Sequence, residues 1–417
     1  MATDAHRAVE AVWRIESPRL IAGLTRMVRD VGVAEELAQD ALVAALETWP
    51  RSGVPDNPGA WLMATAKHRA IDALRRGERP ARRQRALALD LERERRDRPA
   101  DDLEARLDDP IGDDLLGLVF MTCHPVLGQE ARIALTLRLV GGLTTAEIAR
   151  AFLVAEPTVG QRISRAKRTL AEARVPFEVP PRDQLGARLA SVLEVVYLVF
   201  NEGYAATAGD DLLRPALCED ALRLGRVLAG LLPGEAEVHG LVALMEIQAS
   251  RTRARTGPDG APVLLADQDR ARWDRVLIHR GLEALGRADA AGGAYGPYAL
   301  QAAIAACHAV APSVEETDWL RIAALYDALA QVAGSPVVKL NRAVAVGMAY
   351  GPQAGLDHVD GLRDEPALAR YHLLPSVRGD LLARLGRTAE ARAEFAHAAA
   401  LTRNARERAF LLERAGG

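Results

Sequence analysis

The chain has 417 residues, 49% hydrophobic and 26% charged, with 53 Lys and Arg against 56 Asp and Glu for a formal net charge of −3. That balance fits a soluble globular protein of two or three domains, each large enough for its own core. No uncharged stretch reaches membrane-spanning length, and the N-terminal MATDAHRAVEAVW carries no apolar run of signal-peptide type, so a membrane protein is not expected.

Ala, Leu, Arg and Glu dominate, aromatics are 4% and β-branched runs are scarce, which predicts an all-α fold. The cysteines, Cys123, Cys218 and Cys307, are odd in number, far apart and without a CxxC, so reduced thiols in a cytoplasmic protein are expected. Cys123-His124 and Cys307-His308 have no second partners at zinc spacing, so no metal is expected.

Residues 6–29 read as a helix with Val9, Trp13, Leu20, Leu24 and Val28 inward, interrupted near Ser17-Pro18. Asp30 then precedes a helix whose inner stripe is Val33, Leu37, Ala41, Ala44 and Ala45, with Glu35, Glu36, Gln39, Asp40 and Glu47 outside or at its margins. Residues 51–59, RSGVPDNPG, form a turn-rich loop. Residues 60–76 form a third helix with Ala64, Ile71 and Leu74 inward and Lys67, His68, Arg69, Arg75 and Arg76 available. A basic block, Lys67 to Arg85, gives way to an acidic one, Asp97 to Asp114. The pairing suggests a nucleic-acid surface beside a segment that competes for it.

Residues 143–170, LTTAEIARAFLVAEPTVGQRISRAKRTL, read as two short helices joined by a tight turn. Thr144 or Thr145 can cap the first, Glu147 suits its first turn, and Pro157 suits the start of the second. In the second helix Val159, Ile163, Ala166 and Leu170 make one buried stripe, leaving Thr158, Gln161, Arg162, Arg165 and Arg168 on the other side. That is the pattern of a helix-turn-helix, whose arginines neutralise phosphates and whose Arg and Gln can pair with base edges. An αα-hairpin with a solvated basic face has the same pattern. Leu153 stands where such turns usually carry glycine, which predicts a strained or differently built connection.

Beyond the prolines of FEVPPRD, helices follow almost without interruption. Gly379, Ala391, Phe395 and Ala398 fall at the intervals of a tetratricopeptide repeat, and Ala343, Gly355, Val359 and Leu362 repeat them one unit earlier. Residues 251–266, RTRARTGPDGAP onward, are expected to form a mobile excursion. Within YLVFNEGYAAT, 197–207, the trio Asn201, Glu202 and Tyr204 is a candidate site, although Gly203 as a helix cap explains the segment more simply. The acids of 210–220 and 267–274 and the scattered His239, His279 and His308 match no nucleophile elbow, P-loop, GxGxxG or HExxH, so no catalytic residues are assigned and no enzyme is expected.

The acidic helix ending in ETW, the proline-rich loop and NPGAWLMATAKHRAIDALRR resemble domain 2 of the extracytoplasmic-function (group 4) RNA polymerase sigma factors. GQEARIALTLRLVGGLTTAEIARAFLVAEPTVGQRISRAKRTL resembles their domain 4, and the likeness covers roughly residues 8–176. The repeat pattern and YLVFNEGYAAT resemble the subgroup with a C-terminal tetratricopeptide-like extension. The resemblance implies domain 2 at 1–78, a charged linker at 79–110, a helix-turn-helix domain 4 at 111–178, and a helical-repeat extension at 184–417. It implies that Asp30, Glu35, Glu36, Gln39 and Asp40 bind core RNA polymerase. It further implies that Asn57, Trp61, Lys67, His68, Arg69, Arg75 and Arg76 handle the downstream promoter box, and that Thr158, Gln161, Arg162, Arg165 and Arg168 read the upstream one. The linker would thread the polymerase active-site cleft. Gly160-Gln161 departs from the Lys-Ser of many relatives, and Glu156-Pro157 from a small-residue cap, so the promoter sequence stays open. No cofactor is implied. The partners are core polymerase, promoter DNA and, on the extension, a protein or the chain's own sigma domains. The alternative is a stand-alone helix-turn-helix regulator with a helical sensor domain.

Overall fold

The structure, a computed structural model, describes residues 2–75, 110–152, 154–206, 210–258 and 260–416. The described residues are helical apart from turns and one isolated antiparallel bridge, Thr256 to Pro262. The chain divides into unit 1, Met1–Val195, and unit 2, Val196–Gly417. Most of the predicted linker, residues 79–109, lies outside the described residues.

Unit 1 begins with a bundle of α1 (Ala2–Val28), α2 (Val31–Ser52) and α3 (Pro58–Arg75). The expected break at Ser17-Pro18 does not occur. α1 runs through Pro18, which together with Ser17 is buried. A proline removes one hydrogen bond and bends a helix, and packing on both sides holds this one together. Asp30 caps α2 as predicted, its Oδ1 accepting from the N–H of Gly32 at 2.8 Å and Val33 at 3.0 Å. Leu37, Ala41 and Ala45 of the expected inner stripe of α2 are buried, and the other two positions shift. Ala34, Glu35 and Ala38 are buried, whereas Val33 and Ala44 are only half-buried. Alanines let two helix backbones come close, so the face richest in alanine takes the interior.

The rest of unit 1 holds α4 (Pro110–Thr122), α5 (Gln129–Leu139), α6 (Thr145–Phe152), α7 (Glu156–Glu172) and the start of α8 (Arg182–Tyr204). Arg26 of α1 pairs with Asp114 of α4 at 3.5 Å. The first turns of α8 are fastened to α4 and α5. Arg188 donates to the Phe120 carbonyl at 2.7 Å, Ser191 donates to the Cys123 carbonyl at 2.7 Å, and Arg132 donates to Ser191 Oγ at 2.5 Å and Glu194 Oε2 at 3.1 Å. Burial pushes the Cys123 thiol up to about 11, so it is a protonated core residue.

Unit 2 continues as helices that pack on their neighbours in the chain: α9 (Pro215–Leu231), α10 (Ala236–Ala249), α11 (Arg275–Ala290), α12 (Pro297–Val310), α13 (Trp319–Val332), α14 (Pro336–Tyr350), α15 (Pro352–Asp360), α16 (Leu373–Arg384), α17 (Thr388–Leu401) and α18 (Ala405–Gly416). The predicted repeat positions sit where paired helices touch. A Cβ on Gly379 would lie 2.7 Å from the Phe395 ring, and one on Gly355 would lie 2.8 Å from the Gly347 Cα. Gly203 is helical and caps nothing. A Cβ there would meet the Cys218 backbone nitrogen at 2.7 Å, so its small size, not its flexibility, is what α9 requires. Asn404, fully buried, donates through Nδ2 to the carbonyls of Ala206 at 3.1 Å and Asp211 at 2.9 Å.

Candidate nucleic-acid and polymerase interface

The paired short helices predicted at 143–170 are α6 and α7. Thr144 and Glu147 form a capping box. Thr144 Oγ1 accepts from the Glu147 N–H at 3.1 Å, and Glu147 Oε2 accepts from the Thr144 N–H at 2.7 Å. Leu153 of the turn lies outside the described residues. The turn is closed by the Val154 N–H donating to the Ala149 carbonyl at 3.0 Å. In α7, Val159, Ile163, Ala166 and Leu170 are all buried. Thr158, Gln161, Arg165 and Arg168 are exposed on the other side. Arg162 is held half-buried by Glu130, 2.5 Å from Nη2. Glu130 is itself 74% exposed, so the pair is worth at most ~1 kcal/mol and releases the arginine readily.

On α3, Asn57 Oδ1 accepts from the Ala60 N–H at 3.0 Å and so caps the helix. Trp61 packs edge-on against the buried Trp49, ring centroids 5.3 Å apart, which fixes one wall at the start of α3. His68 is exposed and Lys67 half-buried. Arg69 reaches Asp40 of α2 at 3.7 Å, joining a predicted DNA contact to a predicted polymerase contact in one exposed, weak pair. Arg76 and the side chain of Arg75 lie outside the described residues.

The predicted polymerase-docking acids do not share one face. Glu36, Gln39 and Asp40 are exposed, and Asp30 is exposed but its Oδ1 caps α2. Glu35 is 4% exposed. Its Oε1 accepts from Arg138 Nε at 2.8 Å and from Gln39 Nε2 at 2.9 Å, and its Oε2 pairs with Lys167 Nζ. Arg138 belongs to α5 and Lys167 to α7, so this carboxylate ties the first three helices to the helix-turn-helix. Burial alone would raise its pKa. Lys167 and then Arg138 outweigh burial and hold it below the ordinary carboxylate value. Arg138 also donates to the Leu143 carbonyl at 3.1 Å, which sets its angle.

The clamp was not legible in the sequence. Arg138 and Lys167 stand 103 and 132 residues from Glu35, and their own helical patterns mark them only as flanking cations. Among the described residues no helix is long and apolar enough to cross a membrane, and no cluster of His, Cys, Asp or Glu is built to hold a metal.

Comparison with known proteins adds to this geometry. Residues 13–79 match sigma-70 region 2, and residues 118–170 match sigma-70 region 4. Residues 188–289 match a family of unknown function, DUF6596. The chain is 44% identical over 400 residues to an uncharacterized protein of Rhizobium meliloti, a match that spans 94% of this chain and 92% of that one. It is 27% identical over 187 residues to the probable ECF RNA polymerase sigma factor SigI of Mycobacterium tuberculosis, spanning 42% of this chain and 59% of SigI.

Proposed function

We propose, for a chain that belongs to one family with the uncharacterized Rhizobium meliloti protein and is an ECF-type sigma factor by its two sigma-70 regions, that unit 2 regulates promoter-specific initiation by unit 1. The observation that carries the sigma reading is order: region 2 at 13–79, then region 4 at 118–170, the second built around an α7 that turns Thr158, Gln161, Arg165 and Arg168 outward. A stand-alone helix-turn-helix regulator has no use for the first region.

In this reading Glu36, Gln39 and Asp40 dock on a basic surface of core polymerase, and their charge steers the encounter. Asn57, Trp61, Lys67, His68 and Arg69 handle the opened downstream box, where splayed bases need an aromatic wall and phosphates need cations. Arg165, Arg168 and Gln161 read the upstream box, and Arg162 joins them on leaving Glu130. The paired helices of unit 2 offer a surface for a protein partner or for the sigma regions themselves. The length of unit 2, Val196–Gly417, beside a module that acts alone in other factors supports a regulatory role.

Run-off transcription with purified core polymerase tests both parts. Specific initiation by the full chain is expected, and DNA binding that neither needs core nor yields transcripts would overturn the sigma reading. A chain stopped after Tyr204 should initiate differently from full length. The stop belongs there and not near Pro180, because Arg188, Ser191 and Glu194 are part of unit 1. Equal transcription by both proteins across several promoters would remove unit 2 from initiation.

A further inference from the structure

The face that α7 turns outward carries less free charge than its sequence offers. Four cations lie on this helix: Arg162, Arg165, Lys167 and Arg168. Arg165 and Arg168 are exposed and make no ion pair among the described residues. Arg162 and Lys167 sit half-buried at the margins of that face, and an acid from another helix holds each of them. Glu130, on Arg162, belongs to α5 and to the same sigma-70 region as α7. Glu35, on Lys167, reaches over from α2 and the other sigma-70 region.

The partners of the Glu35 carboxylate are not held alike. Its Oε1 takes Arg138 at 2.8 Å and Gln39 at 2.9 Å, which leaves Oε2 to Lys167. Arg138 is fixed twice, by Glu35 and by the Leu143 carbonyl at 3.1 Å. The Lys167 ammonium has no second acceptor among the described residues. It is a compact charge on a flexible four-carbon stem, and 22% of the side chain is exposed. Lys167 can therefore leave without stripping Glu35 of its counter-charge. Its neighbour in sequence, Arg168, already faces solvent.

A carboxylate and a phosphate offer an ammonium the same kind of charged hydrogen bond. We propose that Lys167 is a DNA phosphate contact of α7, and that Glu35 occupies it in the free chain until a bound duplex displaces the carboxylate. The inference rests on the reading of α7 as the helix that meets promoter DNA. With Glu130 holding Arg162, acids neutralise two of the four α7 cations before DNA arrives. Non-specific binding comes almost entirely from phosphate neutralisation, so it is the mode that this masking suppresses most. A promoter site adds base contacts and still displaces Glu35.

Fluorescence anisotropy of the full chain with a labelled mixed-sequence duplex of about 30 base pairs tests this, between about 50 and 200 mM salt. Each cation seated on a phosphate contributes about 0.9 to the slope of log affinity against log salt. Lys167→Gln, which leaves Arg138 on Glu35, should flatten the slope by about that amount and weaken binding several-fold. Glu35→Gln should instead raise affinity several-fold, because the competing carboxylate has gone. That gain should vanish in the double variant E35Q/K167Q. A gain that survives there is a general field effect and overturns the proposal. So does an unchanged slope in Lys167→Gln, or the absence of binding by every variant. Melting curves accompany each protein, and Lys167→Gln decides the matter alone if Glu35→Gln does not fold. Arg165→Ala is the arm for the underlying reading. If it leaves the slope unchanged, α7 does not face DNA and both readings fall. If it flattens the slope and Lys167→Gln does not, the α7 reading stands and Lys167 is only a structural partner of Glu35.

Discussion

Replacing Glu35 is the most direct perturbation of unit 1. The carboxylate is 4% exposed and ionised, with Arg138 Nε at 2.8 Å and Lys167 on the other oxygen. Removing one member of a buried ion pair costs about 3–5 kcal/mol when the remaining charge stays buried. Here the two cations keep 22% side-chain exposure each, and Arg138 retains the Leu143 carbonyl, so Glu35→Ala belongs near the lower end, about 3 kcal/mol. Glu35→Gln keeps the shape and one acceptor, and should cost about 1.5–3 kcal/mol as charged hydrogen bonds become neutral ones. Hydrogen exchange on the full chain reads this locally, in α2, α5 and α7. The pH dependence carries a definite sign. Because the folded pKa lies below the ordinary value of 4.5, the charge contributes stability above that value and loses it as pH falls through the depressed folded pKa. The gap between wild type and Glu35→Gln should therefore be constant from pH 8 to about 5 and close in more acid solution. A gap that persists unchanged to about pH 3 would refute the ionic account. So would additive effects of Glu35→Ala and Lys167→Ala, since contacting residues should couple by about 0.5–3 kcal/mol.

Reversing the charges of Glu36 and Asp40 should weaken core-polymerase binding in a native-gel titration, by roughly 1.5–7 kcal/mol per close charge pair made there. The fold should hardly change, because the Arg69–Asp40 pair is exposed. Arg165→Ala or Arg168→Ala should lose about 1–3 kcal/mol of promoter binding if the side chain meets a base, with selectivity relaxed at one position of the upstream box. Uniform weakening across promoter variants would make it a phosphate clamp. Gly379→Ala should lower the melting temperature of unit 2 through about 1–3 kcal/mol of overpacking, since its Cβ would sit 2.7 Å from Phe395. An unchanged melting temperature would mean that the Phe395 ring can step aside.

Patterns set by one helix were readable in the sequence, and contacts set by two distant ones were not. The stripe Val159, Ile163, Ala166, Leu170 shows a clear 3.6-residue period because large apolar side chains contrast with Arg, Gln and Thr. In α2 the contrast fails. Leu37, Ala41 and Ala45 of the expected stripe are buried, but alanine fits either environment, so Ala34 and Ala38 do not stand out as inner positions and Glu35 between them looks marginal. Glycines had the same ambiguity. Gly379 stands at repeat spacing from Phe395, whose ring lies against it, whereas Gly203 looks like a cap because its neighbour, Cys218, belongs to another helix. The 251–266 segment looked loose because Arg, Gly and Pro are loop residues, and only the rings of Tyr204 and Trp273, outside that window, show what the arginines rest on.

The buried Asn404 has a consequence for the order of events as the protein is made. Its side chain holds the backbone at Ala206 and Asp211, 198 and 193 residues earlier, so the beginning of unit 2 stays unsatisfied until nearly the whole unit has been translated. Chains emerge from the ribosome N-terminus first, at about 5–20 residues per second. Unit 1 is therefore complete and free to fold roughly ten seconds or more before the carbonyls of Ala206 and Asp211 find their donor. Every newly made molecule passes through an interval in which both sigma-70 regions exist and unit 2 does not.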